Sequence, residues 1–83
     1  MKLPRDLSGK ELAKLLARLG YVIIRQKGSH IRLVRAATGN RPEHHITIPN
    51  HDELKIGMLA GILDDVAAAQ GITRDELIRL LFE

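Results

Sequence analysis

Tyr21-Val22-Ile23-Ile24-Arg25-Gln26-Lys27-Gly28-Ser29-His30-Ile31-Arg32-Leu33-Val34-Arg35 is the stretch on which the fold turns. Residues 21–26 are β-branched and aromatic, residues 30–35 alternate in polarity, and Lys27-Gly28-Ser29 is too short to be anything but a hairpin turn. The stretch therefore reads as two antiparallel strands. Period-two alternation sends Ile31 and Leu33 to one face of the second strand and His30, Arg32 and Val34 to the other. A core must take Ile31 and Leu33, which leaves His30 and Arg32 together on the opposite face.

On the N-terminal side, Ser8 and Glu11 form an S-x-x-E capping box, and Leu7 is placed to staple onto Leu12. Leu12, Leu15, Leu16 and Leu19 recur at the spacing of one helical face, and Gly20 supplies the stop. Lys10, Lys14 and Arg18 form a basic stripe on the other face. On the C-terminal side, a turn cluster over 36–43 leads to a third strand, His44 to Ile48, ended by Pro49. Alternation there sends Ile46 and Ile48 inward with His44, and puts His45 and Thr47 on the face that carries His30. After a loop over 50–54, Leu59, Ile62, Leu63 and Val66 mark an amphipathic helix from Ile56 to about Gln70, stopped by Gly71. Thr73 and Glu76 repeat the capping box, Ile72 staples onto Leu77, and Ile78, Leu81 and Phe82 make a last short helix apolar. The expected fold is α+β: a three-stranded antiparallel meander with helices on one face and the other face open, in one domain over residues 1–83.

Composition narrows the chemistry. Cysteine is absent, so there is no disulfide framework and no thiolate metal site, and no secretory pattern opens the sequence. The expected location is the cytoplasm. The longest uncharged apolar run, Ile56 to Leu63, falls far short of the roughly 20 residues that span a bilayer, so no membrane partner is expected. Charge is uneven: residues 1–57 hold 11 Lys/Arg against 5 Asp/Glu, and residues 58–83 hold 2 against 5. Nucleic acid is the commonest partner of such a basic region, and a merely solvated surface is the alternative.

Four histidines raise the question of zinc. His44 and His45 are adjacent in a strand and point to opposite faces, and neither cysteine nor a carboxylate cluster joins them, so neither a metal site nor any other cofactor is expected. No G-x-S-x-G elbow and no Walker or Rossmann glycine pattern occurs. Ser29 reads as a turn residue rather than a nucleophile, and with Gly28 as a candidate contact to the RNA phosphate. His30 alone would be an ordinary half-exposed histidine, but Arg25, Lys27 and Arg32 surround it with donors for a phosphate, and Gly28 lets backbone approach the same group. This combination suits cleavage of RNA, which carries its own nucleophile in the 2′-OH. An enzyme then needs chiefly a general acid or base and cations for the developing charge, which histidine and lysine supply without a metal. Lys10, Lys14 and Lys55 are candidate contacts to the RNA backbone. Only Tyr21 and Phe82 are aromatic, too few for a base-stacking platform. The last two helices imitate a helix-turn-helix, but Asp75, Glu76 and Glu83 outnumber Arg74 and Arg79 on the would-be recognition helix. A noncatalytic double-stranded-RNA-binding module and a purely structural interaction subunit remain the alternatives to an enzyme.

Leu7-Ser8-Gly9-Lys10-Glu11, Leu19-Gly20-Tyr21, Arg25-Gln26-Lys27-Gly28-Ser29-His30, Ile48-Pro49-Asn50-His51 and Leu54-Lys55-Ile56-Gly57-Met58-Leu59 together resemble the HicA toxins, mRNA interferases of bacterial type II toxin-antitoxin modules. The likeness runs in order through nearly the whole chain, and Gly28-Ser29-His30 is its most specific part. It implies a fold akin to the double-stranded-RNA-binding domain, mRNA as substrate, and inhibition by a HicB-like antitoxin bound over the site, with DNA met only through the antitoxin complex. It also implies that His30 is the catalytic histidine. His51 matches a common family position and reads first as a loop-capping or packing histidine; whether it or His45 gives His30 a second acid-base group stays open.

Overall fold

The structure, a computed structural model, describes residues 3–83. The element order is α1 (Gly9–Leu16), a 3-10 turn (Ala17–Leu19), β1 (Tyr21–Lys27), β2 (His30–Arg35), β3 (His44–Pro49), α2 (Ile56–Gln70) and α3 (Arg74–Phe82). The strands form one antiparallel sheet in the order β1-β2-β3. This is the expected α+β meander.

Both capping boxes form. Ser8 Oγ accepts from the Glu11 amide and Glu11 Oε1 from the Ser8 amide, each at 3.0 Å, and Thr73 and Glu76 repeat the exchange at 3.1 and 3.0 Å. The first helix differs from expectation in its last turn. It tightens to 3-10 geometry after Leu16; Leu19 in that turn and Leu15 in α1 lie at the margin of the core, while Leu12 and Leu16 are fully buried.

One apolar cluster joins Leu12 and Leu16 to Ile31, Leu33, Ile46 and Ile48 of the sheet, Leu59, Leu63 and Val66 of α2, and Leu77 and Leu81 of α3. Leu54, in the loop before α2, is also buried and ties down through its amide to the Leu7 carbonyl at 2.8 Å. Arg74 holds α3 to α2 by a two-pronged bond to Asp64 at 2.6 and 2.7 Å. No single helix is long and apolar enough to cross a membrane.

Arg35 ends β2 on the core side, only 4% exposed. Its guanidinium donates to the Ala69 carbonyl and the Gln70 side chain at the C-terminus of α2, to the Pro42 carbonyl at 2.8 Å, and lies 5.9 Å from the centre of the Tyr21 ring. A cation at a helix C-terminus complements the helix dipole there. Beside it Tyr21 donates its hydroxyl to His44 Nδ1 at 2.6 Å, and in that tautomer His44 Nε2 donates to Asp65 at 3.3 Å. Burial raises the Tyr21 phenol above its ordinary pKa, outweighing the opposing pull of Arg35. His44 therefore does turn inward, toward a polar network at the far end of the sheet from His30.

At the other end, α1 comes close to the exit of β3. The Gly9 amide donates to the His51 carbonyl at 2.9 Å, and a Cβ on Gly9 would stand 2.1 Å from the Pro49 carbonyl oxygen. Gly9→Ala must therefore force α1 away from the strand and should destabilise the fold by about 1–3 kcal/mol, measurable by urea unfolding. Acid should loosen both caps and the α2–α3 link. Hydrogen bonds from Ser8, Thr73 and Arg74 hold Glu11, Glu76 and Asp64 respectively below the usual carboxylate range. A depressed carboxylate contributes stability that is complete above its unfolded pKa, near 4, and is lost as pH falls through the folded value. The melting temperature should thus hold from neutrality to about pH 5 and fall below about pH 4. A Ser8→Ala/Thr73→Ala variant should show a shallower acid limb.

Candidate active site on the open sheet face

β1 and β2 meet in a tight hairpin. Its register pairs Lys27 with His30, leaving Gly28-Ser29 as a two-residue loop with Gly28 at φ 58°, the positive angle that tight hairpins favour at the first loop position. The register runs Tyr21–Arg35, Val22–Val34, Ile23–Leu33 and then Arg25–Arg32, so Ile24 is an extra residue bulged out of the ladder. The bulge decides the site. Unbroken alternation from buried Tyr21 would turn Arg25 and Lys27 toward the core side. The bulge reverses the phase, so that Arg25 stands across from Arg32 and Lys27 across from His30, all on the face no helix covers.

β3 completes this face. Thr47 pairs with Arg32 and Pro49 with His30, and Arg32 Nη1 reaches Thr47 Oγ1 at 3.5 Å. Arg25, Lys27, His30, Arg32 and Thr47 together line one cavity of about 410 Å³. Three cations and an imidazole share it, and no carboxylate among the described residues lines it. Its backbone is fixed from below, because the Asn50 amide donates to the Ser29 carbonyl at 2.7 Å and His51 in turn accepts from Gly9. The segments Ser8–Glu11, Gly28–His30 and Pro49–His51 therefore meet at one corner of the molecule. Gly28 and Ser29 form the turn that leads into His30, and no side-chain bond from Ser29 is found among the described residues.

The other candidates lie elsewhere. Lys10 and Lys14 are exposed on α1, Lys55 is the N-cap of α2, and none of the three lines the cavity. His51 contributes its carbonyl while its residue is exposed outside the cavity. His45 shares the open face but stands four residues from His30's cross-strand neighbour Pro49, about 13 Å along β3. It bonds Glu43 at 2.6 Å and lines a neighbouring groove. Thr47 is the cavity residue that the residue types alone did not single out, although strand alternation already put it on this face. Among the described residues no three His, Asp or Glu side chains gather as a metal site would require.

The family profile described as HicA toxin of bacterial toxin-antitoxin matches residues 9–67. The chain belongs to the HicA toxin family. The matched span of this HicA chain runs from the first helical residue through the sheet and most of α2, and so contains every residue of the cavity. Toxins of this family act opposite an antitoxin. No curated protein and no solved structure matches the chain.

The bulge makes a direct prediction. Deleting Ile24 removes only the extra residue and still pairs Arg25 with Arg32 and Lys27 with His30, so binding of a single-stranded polyanion such as poly(U) should survive the deletion and weaken in an Arg25→Ala/Lys27→Ala variant. In that double variant the slope of log affinity against log salt should flatten by about 1.4, the value for two lost phosphate contacts. Fluorescence titration at several salt concentrations measures both.

Proposed function

We propose that this HicA chain is an endoribonuclease that cleaves mRNA in the cytoplasm, with His30 as its general acid or base. The observation that carries the reading is the joining of His30 to Arg25, Lys27 and Arg32 in one cavity on the uncovered sheet face. The family match supports it, since a toxin must act on something the cell needs. The chemistry follows from the substrate. The 2′-oxygen attacks the adjacent phosphorus, the P–O5′ bond breaks, and a 2′,3′-cyclic phosphate and a free 5′-hydroxyl result. A neutral His30 can take the proton that the 2′-OH loses, and a protonated one can deliver a proton to the departing 5′-oxygen. Negative charge grows on the phosphoryl oxygens in the transition state, and Lys27, across from the imidazole, with Arg25 and Arg32 beside it, would hold it. Lys10, Lys14 and Lys55 stand outside the cavity and would serve only as longer-range attraction for the RNA backbone.

A HicB-like antitoxin would neutralise the toxin by covering this cavity, and acidic side chains would suit it best. DNA would then be met only through the antitoxin.

Separating chemistry from binding tests the reading. His30→Ala should keep RNA affinity within about twofold of wild type and lower the cleavage rate by 10²–10⁴, the usual worth of a positioned acid or base. Lys27→Ala should lower both. The measurements are gel-resolved cleavage of a labelled transcript and growth arrest on induction. If purified His30→Ala cleaves as wild type does, the catalytic assignment is wrong; if wild type binds RNA and cleaves none, the chain is an RNA-binding module.

A further inference from the structure

A second depression adjoins the His30 cavity. A groove of about 490 Å³ runs between β3 and α2, and it shares Arg32 and Thr47 with that cavity. Its other lining residues include His45, Gly57, Met58, Gly61 and Asp65. We infer that this groove is a subsite for one nucleotide flanking the cleaved bond, with the phosphate at Arg32 and the base lying over Gly57 and Gly61 toward Asp65. The inference rests on the ribonuclease reading and adds to it a place where substrate sequence can be sensed.

Charge along the groove is graded. Arg32, at the shared end, donates to a phosphate. Asp65, at the other end, repels one, but its carboxylate accepts from the ring or exocyclic N–H groups on a base edge. Asp65 uses Oδ1 to hold His44, which leaves Oδ2 without a hydrogen bond among the described residues. His45, bonded to Glu43 at 2.6 Å, forms a polar wall, and half-exposed Met58 presents a polarizable thioether to a base face. The mixture of one cation, one carboxylate and an apolar floor fits a nucleotide better than a bare phosphate.

The floor itself is otherwise unexplained. Gly57 and Gly61 lie one turn apart on α2, neither has a positive φ, and a Cβ on either would meet nothing within 4 Å. Glycine inside a helix is destabilising relative to alanine, and the packing of this chain does not require it at position 61. Missing side chains do, however, keep the groove open to something from outside.

A nested series of single-stranded oligoribonucleotides, lengthened one nucleotide at a time on either side of a mapped cleavage site, tests this on the full chain. For wild type, one step on one side should raise kcat/KM on the order of tenfold, the contribution typical of one well-held base. In Gly61→Gln that step should vanish, while substrates too short to reach the groove are cleaved as by wild type. The melting temperature of Gly61→Gln should equal or exceed that of wild type, so that loss of the step cannot be unfolding. The subsite is overturned if Gly61→Gln keeps the step, or if all lengths fall alike. It is also overturned if the variant cleaves normally but no longer binds the antitoxin, for the groove is then a protein-docking surface. If wild type cleaves no member of the series, the ribonuclease reading itself falls and the subsite with it.

Discussion

Alternation along β2 is the constraint from which the rest of the molecule follows. Successive side chains of a strand point to opposite faces, so burying Ile31, Leu33 and Arg35 under the helices obliges His30 and Arg32 to face outward. Each neighbouring strand must then be brought into phase with β2. β3 does so without interruption, and Thr47 falls beside Arg32. β1 does so only because Ile24 bulges. With β1 in phase, the open face carries four groups able to act on a phosphate; out of phase, it would carry two.

The two ends of β2 have different tasks. At Arg35 the sheet is locked to the C-terminus of α2 and to the 36–43 connection through a buried guanidinium, with Tyr21, His44 and Asp65 hydrogen-bonded alongside. At His30 the backbone is held by Ser29, Asn50, His51 and Gly9, whose bonds are all main-chain. That leaves the side chains of Lys27 and His30 with no hydrogen bond among the described residues and Arg32 with one long bond to Thr47, so they can meet a substrate at little cost to the core. Three short segments far apart in the sequence, Ser8-Gly9-Lys10-Glu11, Gly28-Ser29-His30 and Pro49-Asn50-His51, are thereby parts of one corner.

Much of this was legible in the sequence. Capping residues announced α1 and α3, period-two alternation placed Ile31, Leu33, Ile46 and Ile48, and the same alternation put His30, Arg32, His45 and Thr47 on one side. What stayed hidden depends on contacts between distant segments. A bulge has no side-chain signature in Tyr21–Lys27, since Ile24 is as strand-like as its neighbours and only the pairing with β2 shows it to be extra. Arg35 looks like any exposed arginine until the α2 carbonyls are brought to it. Leu54 lies in what reads as a polar loop, and burial there comes from the close return of the chain to Leu7. Lys10, Lys14 and Lys55 carry charge without lining the cavity that holds His30, although Lys10 belongs to the segment that meets the hairpin at one corner.

The bulge at Ile24 also bears on how this chain behaves in a crowded solution. Val22, Ile23 and Ile24 are 57%, 51% and 52% exposed, three successive β-branched residues on an edge strand. A flat edge of that composition is a template for strands of other molecules, the usual start of β-aggregation. Here the ladder is broken at the third of them, and Arg25 and Lys27 follow immediately as like charges that two copies would have to bring together. One irregularity in the pairing thus guards the colloidal stability of the protein at the very edge where it arms the face.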